Sequence, residues 1–320
     1  MTDPVKGALA LWGLEEAACE FVAGRENRVY RVSTPQGDFA LRFKRPGYRD
    51  DAELLSELQW LDAMDRTGLS VPRPRAALSG KVLECVDGHR VDMVGWLPGR
   101  PLGRSRDPLA ILDAATVFQQ LGAEIARLHV ACDAWHMPES FTRCAWDTDG
   151  LLGDAPLWGR FWENPTLDAE TRYLFEAFRR EARRQLDSEA NGLDYGLVHA
   201  DLVRENVLLD GPVIRMIDFD DGGFGFRHFD IATALLKNKA EPNYEDLKAA
   251  LLEGYRSLRP LDDRMLDLFM ALRAVTYVGW IVPRMGEAGS PARNKRFIDD
   301  ARRLCAYYLG QPDIVRGDKT

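Results

Sequence analysis

An α+β fold is predicted for this 320-residue chain, sheet-rich in its first part and mainly helical in its second. Three observations carry that expectation. Up to about residue 96, apolar and polar residues alternate with period two between turn-like segments. Beyond about residue 108, apolar residues recur at helical spacing instead. The two patterns are segregated along the chain, which argues against a doubly wound sheet.

The first part reads as strands and hairpins. FVAGRENRVYRV (21–32) and DFALRF (38–43) alternate on either side of the turn-like TPQGD. A helix is expected over about 51–66, where Leu54, Leu58 and Leu61 share a stripe, and SVPRP (70–74) stops it. KVLECV (81–86) and RVDMVGW (90–96) form a second hairpin around Asp87-Gly88. LPGRPLGRSRDP (97–108) is rich in Pro, Gly and Arg, so the expected domains are 1–96 and 97–320.

In the second part, Phe118, Leu121, Gly122, Ile125, Leu128 and His129 lie on one face of a core-facing helix. A charged amphipathic helix is expected over 166–188, and further helices over about 229–238, 243–257, 262–282 and 292–309. LVHADLVRENVLLDGPVIRMIDFDD (197–221) is the one clear strand region here.

A formal charge of −8 disfavours a nucleic-acid partner, which would call for a basic face. The five cysteines are scattered without CxxC spacing, which suits a reducing compartment and makes no metal site. The N-terminal segment has no basic n-region, and the apolar stretch 268–283 contains Arg273 and reads as too short to span a bilayer. A cytoplasmic protein with no membrane partner is expected.

The chemistry concentrates in 197–221. Asp210-Gly211 marks a hairpin whose centre, taken near 212, would set Asn206 opposite Asp218 at its open end. Asp201 lies on the loop that enters it. An amide oxygen and a carboxylate suit a hard divalent cation while leaving positions for phosphate oxygens and water. Asp201 is then left to accept a proton from an attacking hydroxyl, a division of labour that phosphoryl transfer needs.

His199-Ala-Asp201-Leu-Val-Arg-Glu-Asn206 and Asp218-Phe-Asp220 resemble the catalytic loop and metal motif of protein-kinase-like folds. With GFGFRHFDIATAL (223–235) following directly, the chain resembles the aminoglycoside phosphotransferase/choline kinase family, in its homoserine-kinase-like or stress-response-kinase-like branch. The resemblance implies a two-lobed protein-kinase-like fold, with residues 1–96 as nucleotide clamp and 97–320 carrying the catalytic loop, metal site and acceptor pocket. It implies Asp201 as catalytic base and Asn206 and Asp218 as Mg²⁺ ligands, assisted by Asp220. Asp230 would tie the catalytic loop to the helices, and His199 and His129 would be packed residues.

The same resemblance places the phosphate-binding base at Arg42, with Lys44 a second candidate by strand period, and its acidic helix partner at Glu57, with Glu53 the fallback. The turn from Gly24 to Asn27 would cover the phosphates, and backbone groups near Val94, Trp96 and Leu97 would meet the adenine. Trp146, Trp158, Trp162 and Trp280 are candidates for an acceptor pocket or for core. Arg204 is a candidate contact for the transferred phosphate or an acidic substrate, or a solvated residue, and Arg273 must have a partner, a substrate carboxylate being one candidate. Eleven residues separate Asp218 from Asp230 and there is no APE motif, which disfavours a regulated protein kinase. The expected activity is ATP- and Mg²⁺-dependent phosphorylation of a small-molecule hydroxyl, on an amino alcohol or amino acid such as homoserine, or on an aminoglycoside or sugar. A protein Ser/Thr kinase and a non-catalytic nucleotide-binding regulator are the alternatives.

Overall fold

The computed structural model describes residues 4–24, 26–105, 107–189 and 192–311. The described chain begins with α1 (Pro4–Ala10), β1 (Ala18–Ala23), β2 (Arg28–Thr34), β3 (Gly37–Phe43) and α2 (Asp51–Arg66). There follow β4 (Leu83–Val86), β5 (His89–Gly95), β6 (Arg100–Pro101), α3 (Ala114–Ala134), β7 (Ala145–Trp146), α4 (Thr148–Leu152) and α5 (Ala169–Glu189). The remainder is β8 (Tyr195–Val198), β9 (Val207–Asp210), β10 (Val213–Met216), β11 (Gly223–Phe226), α6 (His228–Leu236), α7 (Tyr244–Arg256), α8 (Leu266–Trp280) and α9 (Ser290–Tyr308). The α+β expectation holds: strands dominate the first part and helices the second.

Contacts divide the chain into two compact units. The first takes Met1–Gly103, Ala134–Arg143 and Glu205–Asp220. The second takes Arg104–Asp133, Cys144–Arg204 and Asp221–Thr320.

In the first unit, five antiparallel strands are ordered β1-β2-β3-β5-β4. Strand alternation sorts their side chains. Val32, Leu41, Phe43, Val91 and Met93 point to a core shared with Ala8, Leu9 and Trp12. The opposite face of β3 and β5 carries Arg42 and Asp92, directly paired across the ladder. Helix α2 starts where Asp50 accepts the Glu53 amide at 2.8 Å while the Glu53 carboxylate accepts the Asp50 amide. That reciprocal cap explains why the helix begins where the sequence indicates. Its stripe buries Leu54, Leu58 and Leu61, together with Trp60 and Met64.

A second sheet of the first unit has the order β10-β9-β6. Strand β6 was not visible in the sequence, because two residues inside a Pro/Gly/Arg stretch carry no periodicity. The β9–β10 register pairs Val213 with Asp210 and Met216 with Val207. The two-residue turn Gly211-Pro212, with Gly211 at φ 58°, therefore puts the hairpin centre half a residue earlier than expected. Asn206 consequently faces Ile217, whose amide donates to the Asn206 carbonyl at 3.0 Å, and not Asp218. Asp218 is the next residue along.

In the second unit, β11 runs antiparallel to β8 and parallel to the short β7. This small sheet also escaped the sequence reading, since GFGF has no polar alternation. Close helix contacts here depend on glycine: a Cβ on Gly122 of α3 would lie 2.0 Å from the Leu251 carbonyl oxygen of α7. The segment Asp263–Arg284 is long and apolar enough to cross a membrane by composition, longer than expected because short 3-10 turns extend α8 at both ends. Of its apolar window, 72 % is buried inside the fold, as befits a core helix.

Candidate active site

Strand period two places Arg42 and Lys44 on one face, and both are buried. Arg42 donates from Nε to Asp92 at 2.6 Å and from Nη1 to Glu57 at 2.8 Å. Lys44 donates to the other Glu57 oxygen at 3.0 Å and lies 3.3 Å from Asp92 Oδ2 and 3.6 Å from Asp220 Oδ1. Two cations and three carboxylates thus share one desolvated cluster. Burial alone would raise the Glu57 pKa, but Arg42, Lys44 and Arg143 hold it well below the usual carboxylate range. Burial would likewise lower the pKa of Arg42, and the charges of Asp92 and Glu57 outweigh it, so the guanidinium stays ionised.

Arg143 braces the next segment of the same unit. It donates to the backbone oxygens of Asp220 at 2.6 Å and Phe219 at 3.1 Å, and to that of Glu53 at 3.0 Å. Phe219 packs edge-on against Trp60 of α2, with ring centroids 5.0 Å apart. Asp218 itself is exposed and has a left-handed backbone, φ 68°, which a non-glycine residue adopts only when its surroundings impose it. Asn206 is buried at the open end of the β9–β10 hairpin.

In the second unit, β8 delivers His199, Ala200 and Asp201. Ala200 is also left-handed, φ 65°. The cause is Asp230 near the start of α6, whose carboxylate accepts the His199 amide at 2.8 Å and the Ala200 amide at 2.7 Å. His129 Nε2 lies 3.1 Å from the same carboxylate, and its Nδ1 lies 2.8 Å from the Tyr255 hydroxyl. Burial and then the nearby Arg227 charge push His129 down to about 4, so the ring is neutral and donates to an ionised Asp230. Burial would raise Asp230, but the hydrogen bonds it accepts keep it below its ordinary value. His199 is fully buried, and its Nδ1 accepts the Asp201 amide at 3.3 Å. Asp201 is partly exposed, and Arg273 Nη2 donates to its Oδ1 at 2.7 Å.

A family model described as the phosphotransferase enzyme family matches residues 18–261. The chain belongs to this family. An amicoumacin kinase of Bacillus subtilis is 27 % identical over 287 residues, covering 85 % of this phosphotransferase and 82 % of that protein. A homoserine kinase of Gluconobacter oxydans is 29 % identical over 255 residues, covering 75 % and 72 %. Among solved structures, a microcompartment-associated aminopropanol kinase superposes with TM-score 0.84 at 28 % identity, covering 96 % and 97 % of the two chains. An amicoumacin kinase solved with AMP-PNP and Ca²⁺ gives TM-score 0.73 at 22 % identity over 93 % and 92 %, a likeness of fold. The fold of the phosphotransferase is therefore protein-kinase-like.

The structure brings Arg42, Lys44, Glu57 and Asp220 of this phosphotransferase together and adds Asp92, which the sequence reading passed over. Its signal was an acid among apolar residues in RVDMVGW. Arg143 gave no signal, since an arginine in a loop is ordinarily solvated. Glu53 is engaged in the α2 cap and in an ion pair with Arg49. Asn27 accepts the Arg45 amide through its side chain at 3.0 Å, and a Cβ on Gly24 would strike the Phe21 ring at 2.9 Å. Arg25, between them, lies outside the described residues. Val94 is buried in β5, and the Trp96 amide donates to the Asp38 carbonyl at 3.0 Å.

Three further candidates are engaged within the fold. Arg204 is buried, donating to Asn238 at 2.8 Å and to the Asp107 carbonyl at 2.6 Å and pairing with Glu241, so it is not a solvated residue. Trp146 is core, stacked on Phe229, with its Nε1 donating to the Asp221 carbonyl at 2.8 Å. Arg273 is committed to Asp201 and not held out toward a substrate carboxylate.

Proposed function

We propose that this phosphotransferase moves the γ-phosphoryl group of ATP to the hydroxyl of a small amino alcohol or amino acid. The observation that carries the reading is the Asp201 loop. Two successive amides, those of His199 and the left-handed Ala200, are pinned on a buried, ionised Asp230, which fixes the backbone that presents the Asp201 carboxylate. Relatives named for homoserine and aminopropanol support the acceptor class.

In this reading Asp201 orients the acceptor hydroxyl and takes its proton as the hydroxyl oxygen bonds to the γ-phosphorus. The bond from that phosphorus to the bridging oxygen breaks, and ADP leaves with the electron pair. Arg42 and Lys44, held in place by Glu57, Asp92 and Asp220, supply the N–H donors for the phosphates. Asn206 and the exposed Asp218 offer hard oxygen donors, the set that suits Mg²⁺. Mg²⁺ when bound would neutralise phosphate charge. The Gly24–Asn27 turn would cover the phosphates, and Val94 and Trp96 would border the base.

The test is ATP consumption by the purified protein with homoserine, aminopropanol, choline, aminoglycosides and sugars, with Asp201→Asn as control. One amino alcohol or amino acid should raise turnover far above the water background, and Asp201→Asn should remove about 10²–10⁴-fold of it. ATP binding with no stimulation by any acceptor would overturn the reading.

A further inference from the structure

We infer that Arg273 is a positioning residue for Asp201, a role that rests on Asp201 being the base. Arg273 is the sole charged residue in the apolar stretch 268–283. Its side chain is 0 % exposed. Burying a guanidinium there costs free energy that an apolar residue of the same size would not incur. A requirement for packing alone does not explain its presence.

Its surroundings describe a fixed fork. Nη2 donates to Asp201 Oδ1 at 2.7 Å and to the Tyr277 hydroxyl at 2.8 Å. Nη1 reaches Thr276 Oγ1 at 3.4 Å. The guanidinium carbon lies 4.3 Å from the Tyr277 ring centroid, 4.5 Å from Trp158 and 5.4 Å from Phe229. Aromatic faces on several sides leave the plane no room to rotate, and their quadrupoles offset part of the lost hydration. Nε is buried with no hydrogen-bond partner among the described residues. That is tolerable for a group locked in place by its neighbours.

The consequence falls on the carboxylate. A guanidinium that cannot turn fixes the rotation of the Asp201 carboxylate. Phosphoryl transfer through a loose transition state asks little basicity of its base and much precision. Arg273 supplies the precision. It touches neither phosphate nor acceptor in this role and acts through Asp201.

The experiment compares Arg273→Met, Arg273→Lys, Asp201→Asn and the double variant Asp201→Asn/Arg273→Met, reading kcat, the KM for ATP and the melting temperature. Arg273→Met should lower kcat by roughly 10²-fold, the cost of a displaced catalytic group, with the KM for ATP within about threefold. Arg273→Lys should restore part of kcat, and the double variant should be no slower than Asp201→Asn alone. A kcat for Arg273→Met within about threefold of the wild type would overturn the inference. So would parallel losses of kcat, ATP affinity and melting temperature that Lys does not repair. If Arg273→Met does not fold, Tyr277→Phe decides: removing the hydroxyl that steadies the fork should lower kcat several-fold, and an unchanged kcat refutes the role. Full activity in Asp201→Asn would instead sink the base assignment, a separate outcome.

Discussion

Glu57 holds two buried cations with one carboxylate, in a cluster where Asp92 and Asp220 already face the same cations. Removing one partner of a buried ionic cluster leaves uncompensated charge behind. Glu57→Gln should therefore lower stability by about 3 kcal/mol in urea unfolding and weaken ATP binding as well. His129 gives a second prediction at this scale. Its pKa is pushed down to about 4 in the fold, whereas the unfolded chain titrates near the ordinary value of 6.5. Above pH 6.5 neither state is protonated there. As pH falls toward 4 the unfolded state takes up the proton and the folded state does not, so stability is lost across that window. The loss should reach about 2 kcal/mol by pH 5, and His129→Gln should flatten the melting-temperature slope between pH 6.5 and 5. A slope unchanged in that variant would assign the loss to other groups.

At the scale of elements, the approach of α3 and α7 rests on two glycines. A Cβ on Gly254 would lie 1.8 Å from the Gln119 carbonyl oxygen, and one on Gly122 would lie 2.0 Å from that of Leu251. Backbone cannot yield as a flexible side chain does, so the helices must part. Gly122→Ala or Gly254→Ala should cost about 3 kcal/mol despite alanine's better helix propensity, measured by urea unfolding. Stabilisation by either would show that the helices can slide apart freely. The long elements were legible beforehand. Helix α2 was expected over about 51–66 and spans Asp51–Arg66, because its cap and its leucine stripe are both local. The shift in the β9–β10 register was not legible: the Asp-Gly signal locates a turn but leaves open which two residues form it. Short β6, β7 and β11 were missed because two to four residues cannot display a period.

For the whole molecule, selective binding must raise the melting temperature. ATP with Mg²⁺ at about 100 times the dissociation constant should add about 2.7 kcal/mol, several degrees for a chain of this size. A chelator should withdraw the metal-dependent part, and Asp218→Ala should be insensitive to it. By itself the sequence determined the class of fold and the order of most elements, and it marked the run of candidate site residues. All of these are written in short-range spacing: period two, period 3.6, caps and the run from His199 to Asp220. Only the tertiary structure decided which charges meet. Asp92 reaches Arg42 across a ladder, Arg143 reaches the Asp220 backbone from 77 residues away, and Arg273 reaches Asp201 from 72. Burying a charge is tolerable only beside its partner, and that partner is chosen by packing in three dimensions, which no spacing along the chain records.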